Sequence, residues 1–377
     1  MNEDFRNVYR ELADDARNYS DPERALAVGH RRRRTMLAAP ALAVAVAVVA
    51  VGTWVTLRPP IPTGTPGNQT TASSPVPTLS PPPNAPALPP GAVGRASFAY
   101  AGCRSGCPGL AVVGDRQFII PGQERNPGSS AMLLSLSPDG RWLGYPAGDS
   151  YVVRDLTGTR TMAFPPSETG RRMAAWVWSA DSKRLLVGDF REGNDNTYTL
   201  VDVLTGGRTP AVIPAARTPL ALTNEGEVVS RARDQQPEPV RVLTLTVSAI
   251  GDATGRSVAI DASAILARSE SLFPGSVLVH PDGGGYLLGV GTADGISTGV
   301  LRVAADGRVV ERVVDVPRDN REFWNVLGVN GDGLLLSRQT NAGRQATTVV
   351  AVTGRALRDL VALPHESIVA VPGASAR

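Results

Sequence analysis

The chain has 377 residues, with 38 basic and 35 acidic side chains and a formal net charge of +3. Residues 1–34 hold eight arginines against seven acidic residues, so the much larger remainder is close to neutral. A nucleic-acid-binding protein usually presents a concentrated basic face, and this composition therefore argues against nucleic acid as a partner.

Residues 2–17 have the periodicity of a short amphipathic helix. Phe5, Val8 and Leu12 recur at spacings of three and four, which places them on one helical face. Asn2 is a suitable N-terminal cap for this helix. Two interpretations stay open, a docking helix for a cytoplasmic partner such as a sigma factor, or a solvated leader at the membrane surface.

Residues 35–57 carry no charge and predict a single transmembrane helix, with the lipid bilayer as its partner. At about 1.5 Å per residue the segment would reach roughly 34 Å, enough for a hydrocarbon core of about 30 Å. Four arginines at 31–34 and one at Arg58 place the N-terminus in the cytoplasm. The alternative is a cleaved signal peptide, which usually has a shorter charged region and a shorter apolar run.

Residues 58–92 predict a disordered stalk. Between residues 59 and 90 there are 12 prolines, eight serines or threonines and no charged side chain. Such a segment favours polyproline II, which would reach at most roughly 100 Å at about 3.1 Å per residue. We therefore expect the following domain to be held away from the membrane, outside the cytoplasm.

Residues 93–373 consist of short runs of valine, leucine and isoleucine between turn-forming residues. The clearest unit is Ser137–Tyr145, in which Pro138 presets a type I turn between two strands. Because a four-stranded blade takes about 40–50 residues, the repeat predicts an all-β β-propeller. Weaker copies of the turn begin at Ser179, Thr223, His280 and Asn330.

Five blades carry this turn, and a further blade near Ser97 supplies only three strands. We expect the last strand, at 367–371, to complete that blade and close the ring without an open edge. Six blades is the favoured count. Seven would follow if the long interval between residues 226 and 280 contained an extra hairpin.

The sequence Ser-Pro-Asp-Gly-x-x-Leu-x-Tyr at 137–145, followed by an Asp-Leu-Thr-Gly turn at 155–158, resembles the WD40-like repeats of TolB-like propellers. The complete layout resembles actinobacterial single-pass membrane-anchored propeller proteins. The role of such proteins is unassigned, so the resemblance concerns the fold and the layout of the chain. It transfers no catalytic residue, because the family's repeat residues are structural.

Cys103 and Cys107 are the only cysteines. Outside the cytoplasm such a close pair most simply forms one disulfide, with redox or metal chemistry and free thiols as alternatives. His280 and His365 are the only histidines beyond residue 57, too few for a zinc site, and His280 is expected in a blade turn.

Gly295–Gly299 matches the pattern Gly-x-Ser-x-Gly, but no helical pattern follows it, as a nucleophile elbow requires. Asp189, Glu192 and Asp195 crowd one loop, which is either a weak calcium site or a solvated loop.

Trp176 and Trp178 alternate along a strand and share one face, where they either pack in the core or stack on a ligand at the propeller mouth. Arg318 and Arg321 lie in a polar loop just before Trp324, which is a candidate binding rim.

The sequence thus predicts a non-catalytic binding module without a cofactor, anchored in the cell membrane and displayed outside the cytoplasm to an unidentified protein or glycan. One alternative is a signalling protein that couples ligand capture to the cytoplasmic leader. The other is a propeller enzyme of the lactonase or glycan-lyase type that uses the central channel.

Overall fold

A computed structural model describes the domain that begins at residue 76. The predicted leader, membrane span and most of the stalk lie outside the described residues, among which no helix has the length and apolar character needed to cross a bilayer. The described residues are 76–102, 107–122, 134–148, 150–164, 173–189, 196–214, 216–232, 240–252, 254–293, 296–316, 322–330, 333–340, 347–364 and 368–373.

The described chain forms β-strands separated by short turns. In chain order they are β1 (Phe98–Ala101), β2 (Gly109–Val113), β3 (Arg116–Ile119), β4 (Ser135–Leu136), β5 (Trp142–Ala147), β6 (Ser150–Asp155), β7 (Thr161–Phe164), β8 (Met173–Trp178), β9 (Arg184–Asp189), β10 (Asn196–Asp202), β11 (Arg208–Ile213), β12 (Arg217–Leu222), β13 (Val228–Ala232), β14 (Val242–Ser248), β15 (Arg256–Asp261), β16 (Glu270–Val279), β17 (Gly285–Thr292), β18 (Ser297–Ala304), β19 (Val309–Asp315), β20 (Glu322–Asn330), β21 (Gly333–Thr340), β22 (Thr347–Thr353), β23 (Ala356–Leu363) and β24 (Ile368–Ala370).

These strands form six four-stranded antiparallel sheets, so the protein is a six-bladed β-propeller. Blades 2 to 6 each use four consecutive strands, beginning with β4, β8, β12, β16 and β20. Blade 1 has the order β24-β1-β2-β3 and therefore joins the two ends of the domain. Ala370 pairs with Ala99 and Ile368 with Ala101, which confirms the predicted closure by the last strand.

The repeated turn is held by its own side chains. In blade 2 the Ser137 hydroxyl donates to Oδ1 of Asp139 at 2.6 Å and accepts from the Trp142 amide at 2.9 Å. Asp139 Oδ1 also accepts from the Arg141 amide at 3.0 Å. Gly140 occupies the left-handed region with φ of 69°, where glycine has no steric penalty. The residues that define the motif therefore fix the backbone conformation of the turn, as the sequence predicts.

Residues 76–92, which we name the clasp, belong to the segment predicted as a disordered stalk, but here they pack on the propeller. The clasp forms parallel bridges to the outer strands of blades 6 and 1. The Leu79 amide donates to Ala362 O, and the Leu88 amide donates to Ile119 O, each at 2.8 Å. Leu79 and Leu88 are only 2% and 4% exposed. Two leucines in a proline-rich segment therefore suffice to hold it against otherwise unpaired sheet edges.

The clasp ends at blade 2. Arg154 donates to the carbonyl oxygens of Pro89 and Gly91, the latter at 2.8 Å. The amides of Val93 and Gly94 then donate to Leu156 O at 2.7 and 3.0 Å. The segment thus crosses from blade 6 over blade 1 to blade 2, which spans the place where the ring closes.

Candidate binding cleft between blades 5 and 6

A cleft of about 270 Å³ lies between blades 5 and 6. Its floor is apolar because strand residues that face the neighbouring blade are valines and leucines, as in the rest of the core. Blade 5 contributes Pro281, Leu287 and Val313 to this floor, and blade 6 contributes Val329, Leu334 and Val352.

Four polar side chains surround the apolar floor. They are His280, Arg302, Glu311 and Arg355. His280 belongs to the turn between β16 and β17, where its amide donates to Gly285 O at 2.9 Å. This position is the one that the sequence predicts for it.

Arg302 lies between two carboxylates. Its Nη2 is 3.4 Å from Oδ2 of Asp282, and its Nη1 is 3.6 Å from Oε1 of Glu311. Asp282 Oδ1 is also 2.6 Å from Nδ1 of His280 and accepts from the Gly284 amide at 2.7 Å. Within this network the charge of Arg302 is balanced.

The pKa of Asp282 lies below its usual range. Desolvation by burial acts to raise it, but the hydrogen bonds from the Gly284 amide and His280 outweigh that effect, together with the charge of Arg302. Asp282 is therefore ionised near neutral pH, where it can accept hydrogen bonds but cannot act as a proton donor.

Arg355 differs from Arg302. It directly follows Gly354 in the turn between β22 and β23, and it is exposed. Within the part of the chain that the structure describes, no carboxylate forms an ion pair with Arg355. The cleft therefore combines an apolar floor, an ion-paired arginine on the blade 5 side and, on the blade 6 side, a cation that no described carboxylate pairs with.

The predicted pair of tryptophans lies in the core. Trp176 is 0% and Trp178 is 6% exposed. The Trp176 ring meets Tyr151 edge to face with centroids 5.7 Å apart, and Trp178 Nε1 donates to Ser135 Oγ at 2.7 Å. Of the two interpretations in the sequence analysis, the burial agrees with core packing and leaves no open face for ligand stacking.

Trp324 is also buried, at 2% exposure, and the Arg338 guanidinium lies 5.5 Å from the centroid of its ring. Arg318 and Arg321 lie outside the described residues, so the predicted rim around them stays a prediction. Trp324 does not line the cleft between blades 5 and 6.

The predicted acidic loop is only partly covered. Asp189 is the last residue of β9, and its side chain, Glu192 and Asp195 all lie outside the described part. Across the described residues no three His, Cys, Asp or Glu side chains are grouped so that they could hold a metal ion. Cys103 also lies outside that part, and its disulfide with Cys107 stays a prediction.

The Gly-x-Ser-x-Gly match places its serine on a strand. Ser297 begins β18 and pairs with Gly291 of β17. A strand continues from Ser297 to Ala304, where a nucleophile elbow would begin a helix. His365, the second histidine considered, lies outside the described residues.

Sequence reasoning missed Arg302, Glu311 and Arg355 as a group, because they are brought together from two different blades. One signal could have located Arg355. Arginine follows a glycine between the two outer strands of four blades, at Arg208, Arg256, Arg308 and Arg355, which places all four at corresponding turns.

No protein-family model matches the chain, and no curated protein sequence matches it. Among solved structures it is similar to a TolB protein from Agrobacterium tumefaciens, at 14% identity and a TM-score of 0.40, over 74% of this chain and 98% of that one. It is also similar to oligogalacturonate lyase from Vibrio parahaemolyticus, at 12% identity and a TM-score of 0.40, over 73% and 81% of the two chains.

A third similar structure is acylaminoacyl peptidase from Pyrococcus horikoshii, at 14% identity and a TM-score of 0.40, over 67% of this chain and 40% of that one. The six sheets and the closure of blade 1 by β24 establish that the described chain is a six-bladed β-propeller.

Proposed function

We propose that the protein is a non-catalytic binding module that receives a partner in the cleft between blades 5 and 6. The observation that carries the proposal is the combination of an apolar floor with Arg355, a rim cation without an ion-pair partner among the described residues. Apolar pockets with a few polar groups at the rim are typical of ligand sites.

The rim chemistry supports binding in preference to catalysis. Asp282 and Glu311 both lie beside Arg302, and both carboxylates are about half exposed. General acids and bases usually have a pKa moved towards neutrality, whereas the pKa of Asp282 is lowered. Asp282 is therefore suited to fixing the rim and not to transferring protons.

The location of the module is proposed from the sequence. The uncharged run at 35–57 and the arginines at 31–34 support a single membrane anchor with the propeller outside the cytoplasm. The partner would then be an extracytoplasmic protein or glycan. A cytoplasmic partner of residues 2–17 stays a prediction from their amphipathic pattern.

Site-specific photo-crosslinking in intact cells tests this proposal. A photoreactive residue at Glu311, which lines the cleft, is compared with one at Val310, its exposed neighbour that does not line the cleft. We expect a reproducible crosslinked species from position 311 that is absent from position 310. Equal crosslinking from both positions, or none from either, would contradict the cleft as the binding site.

A further inference from the structure

The size of the cleft limits its occupant to a small group. A volume of about 270 Å³ corresponds to roughly nine water volumes of ~30 Å³ each. This is just below the range of about 300–1,000 Å³ that is usual for small-molecule pockets. One aliphatic side chain with an adjacent polar group fits in a space of this size.

One charge at the rim of the cleft is available to an anionic ligand. Arg302 is neutralised by Asp282 and Glu311, while Arg355 has no ion-pair partner within the described residues. An anionic group can therefore approach Arg355 without displacing an existing pair.

Resting on the proposed function, we propose that the cleft binds the aliphatic C-terminal residue of a partner polypeptide. The side chain would lie on the floor formed by Leu287, Val313 and Leu334, and the terminal carboxylate would bind Arg355. An aliphatic C-terminal residue carries an apolar side chain and a carboxylate on the same Cα, and these match the apolar floor and Arg355 of the cleft. An arginine guanidinium binds a carboxylate through two parallel N–H donors.

The test measures binding of fluorescein-labelled pentapeptides, glycine-serine repeats ending in leucine, to the full-length protein by fluorescence anisotropy. One peptide has a free carboxylate and the other a C-terminal amide. We expect the free acid to bind at least tenfold more tightly than the amide, because only the acid forms a charge-assisted pair with Arg355.

Two variants and a matched control locate the interaction. Arg355→Ala should lower the affinity for the free-acid peptide about tenfold and remove the difference in affinity between the free-acid and amide peptides. Arg308→Ala should change neither, because Arg308 occupies the corresponding position after Gly307 in blade 5 but does not line the cleft. Val313→Trp should fill the cleft and abolish binding of both peptides. Thermal melting of each variant checks that the propeller is still folded.

The outcomes separate this inference from the proposed function. If acid and amide bind equally and both are lost in Val313→Trp, the cleft binds ligands but the C-terminal residue is overturned as the ligand. If octanoate competes as well as the acid peptide and depends equally on Arg355, the occupant is an acyl carboxylate and the inference is overturned. If neither peptide binds while position 311 still crosslinks, only the inference fails. If both experiments are negative, both proposals fail.

Discussion

The amide of Asp139, in the turn of blade 2, donates a hydrogen bond of 2.9 Å to the hydroxyl of Ser182, in the corresponding turn of blade 3. One blade further, the amide of Asp181 donates to Oδ1 of Asn224 at 2.9 Å. Successive blades are thus joined turn to turn by a backbone amide and a side-chain oxygen. The motif residues that shape each turn also hold it against the next one.

Ser182 is expected to respond differently to alanine and to glycine. It is the only non-glycine residue with positive φ in the described residues, at 63°, where other turns have glycine. Ser182→Ala should cost about 1 kcal/mol, the usual net value of one hydrogen bond. Ser182→Gly loses the same bond but relieves about 1 kcal/mol of left-handed strain, and should be nearly neutral.

Urea unfolding of both Ser182 variants measures these free energies. Equal destabilisation by alanine and glycine would show that the positive φ carries no strain. Two neutral variants would show that the bond to Asp139 does not contribute to stability.

Gly140 is expected to be far less tolerant of alanine than Gly114. Both have positive φ, at 69° and 60°. A Cβ at Gly140 would lie 2.3 Å from Ala96 O, whereas a Cβ at Gly114 meets nothing within 4 Å. We expect Gly114→Ala to cost about 1–2 kcal/mol and Gly140→Ala at least about 3 kcal/mol. Denaturant unfolding measures both, and equal costs would contradict the close approach of Ala96 to this turn.

Glu270 is expected to make the stability depend on pH in the acid range. Hydrogen bonds from Arg312, at 2.9 and 3.0 Å, lower its pKa to about 2 although its carboxylate is buried. Because the folded pKa lies below the unfolded value of 4.5, its contribution is complete above pH 4.5 and is lost as the pH falls towards 2.

Glu270→Gln should therefore flatten the stability curve between pH 4.5 and 2 and cost about 3 kcal/mol at pH 7, since it leaves the half-buried Arg312 without its main partner. Glu225→Gln, at an exposed turn position, serves as the matched control and should leave the curve unchanged. Thermal unfolding across this pH range gives both results. A parallel loss in the two variants would exclude the pair with Arg312 as the cause.

Loosening of the clasp is expected to change the outer edge of blade 1 without changing distant blades. Leu88→Ala removes a 4% exposed side chain and should cost about 2–3 kcal/mol, because it leaves a cavity beneath the clasp. We expect faster hydrogen exchange at the amide of Ile119, which donates to Pro86 O at 2.9 Å, and unchanged exchange in β13. Pro83→Ala, at an exposed clasp position, is the control. Unchanged exchange at Ile119 would contradict the clasp as a stabilising element.

The propeller could be predicted from the sequence because its turns are local. Ser137, Pro138, Asp139 and Gly140 set one turn by short-range hydrogen bonds and φ preferences, and the copies of this turn mark each blade. The closing strand could be predicted by counting strands, because blade 1 lacked one strand and the strand at 367–371 belonged to no other blade.

The clasp and the cleft depend on information that a local pattern does not contain. The composition of residues 76–92 predicts a stalk. Their packing depends on Leu79 and Leu88, whose amides donate to Ala362 O and Ile119 O, and partners this distant in sequence cannot be read from a local pattern. The cleft similarly combines Arg302 with Arg355, whose strands belong to different blades. The burial of Trp176 and Trp178 was foreseeable only as one of two options, because alternation fixes a shared face but not what covers it.

The shared first blade has a consequence for synthesis. Of the strands in this domain β1 is made first, but its inner partner β24 is made last. At about 5–20 residues per second, the growing chain must carry an incomplete blade for on the order of tens of seconds. A chain truncated before Ile368 could never complete that blade, so completion of the ring reports that the whole domain has been made.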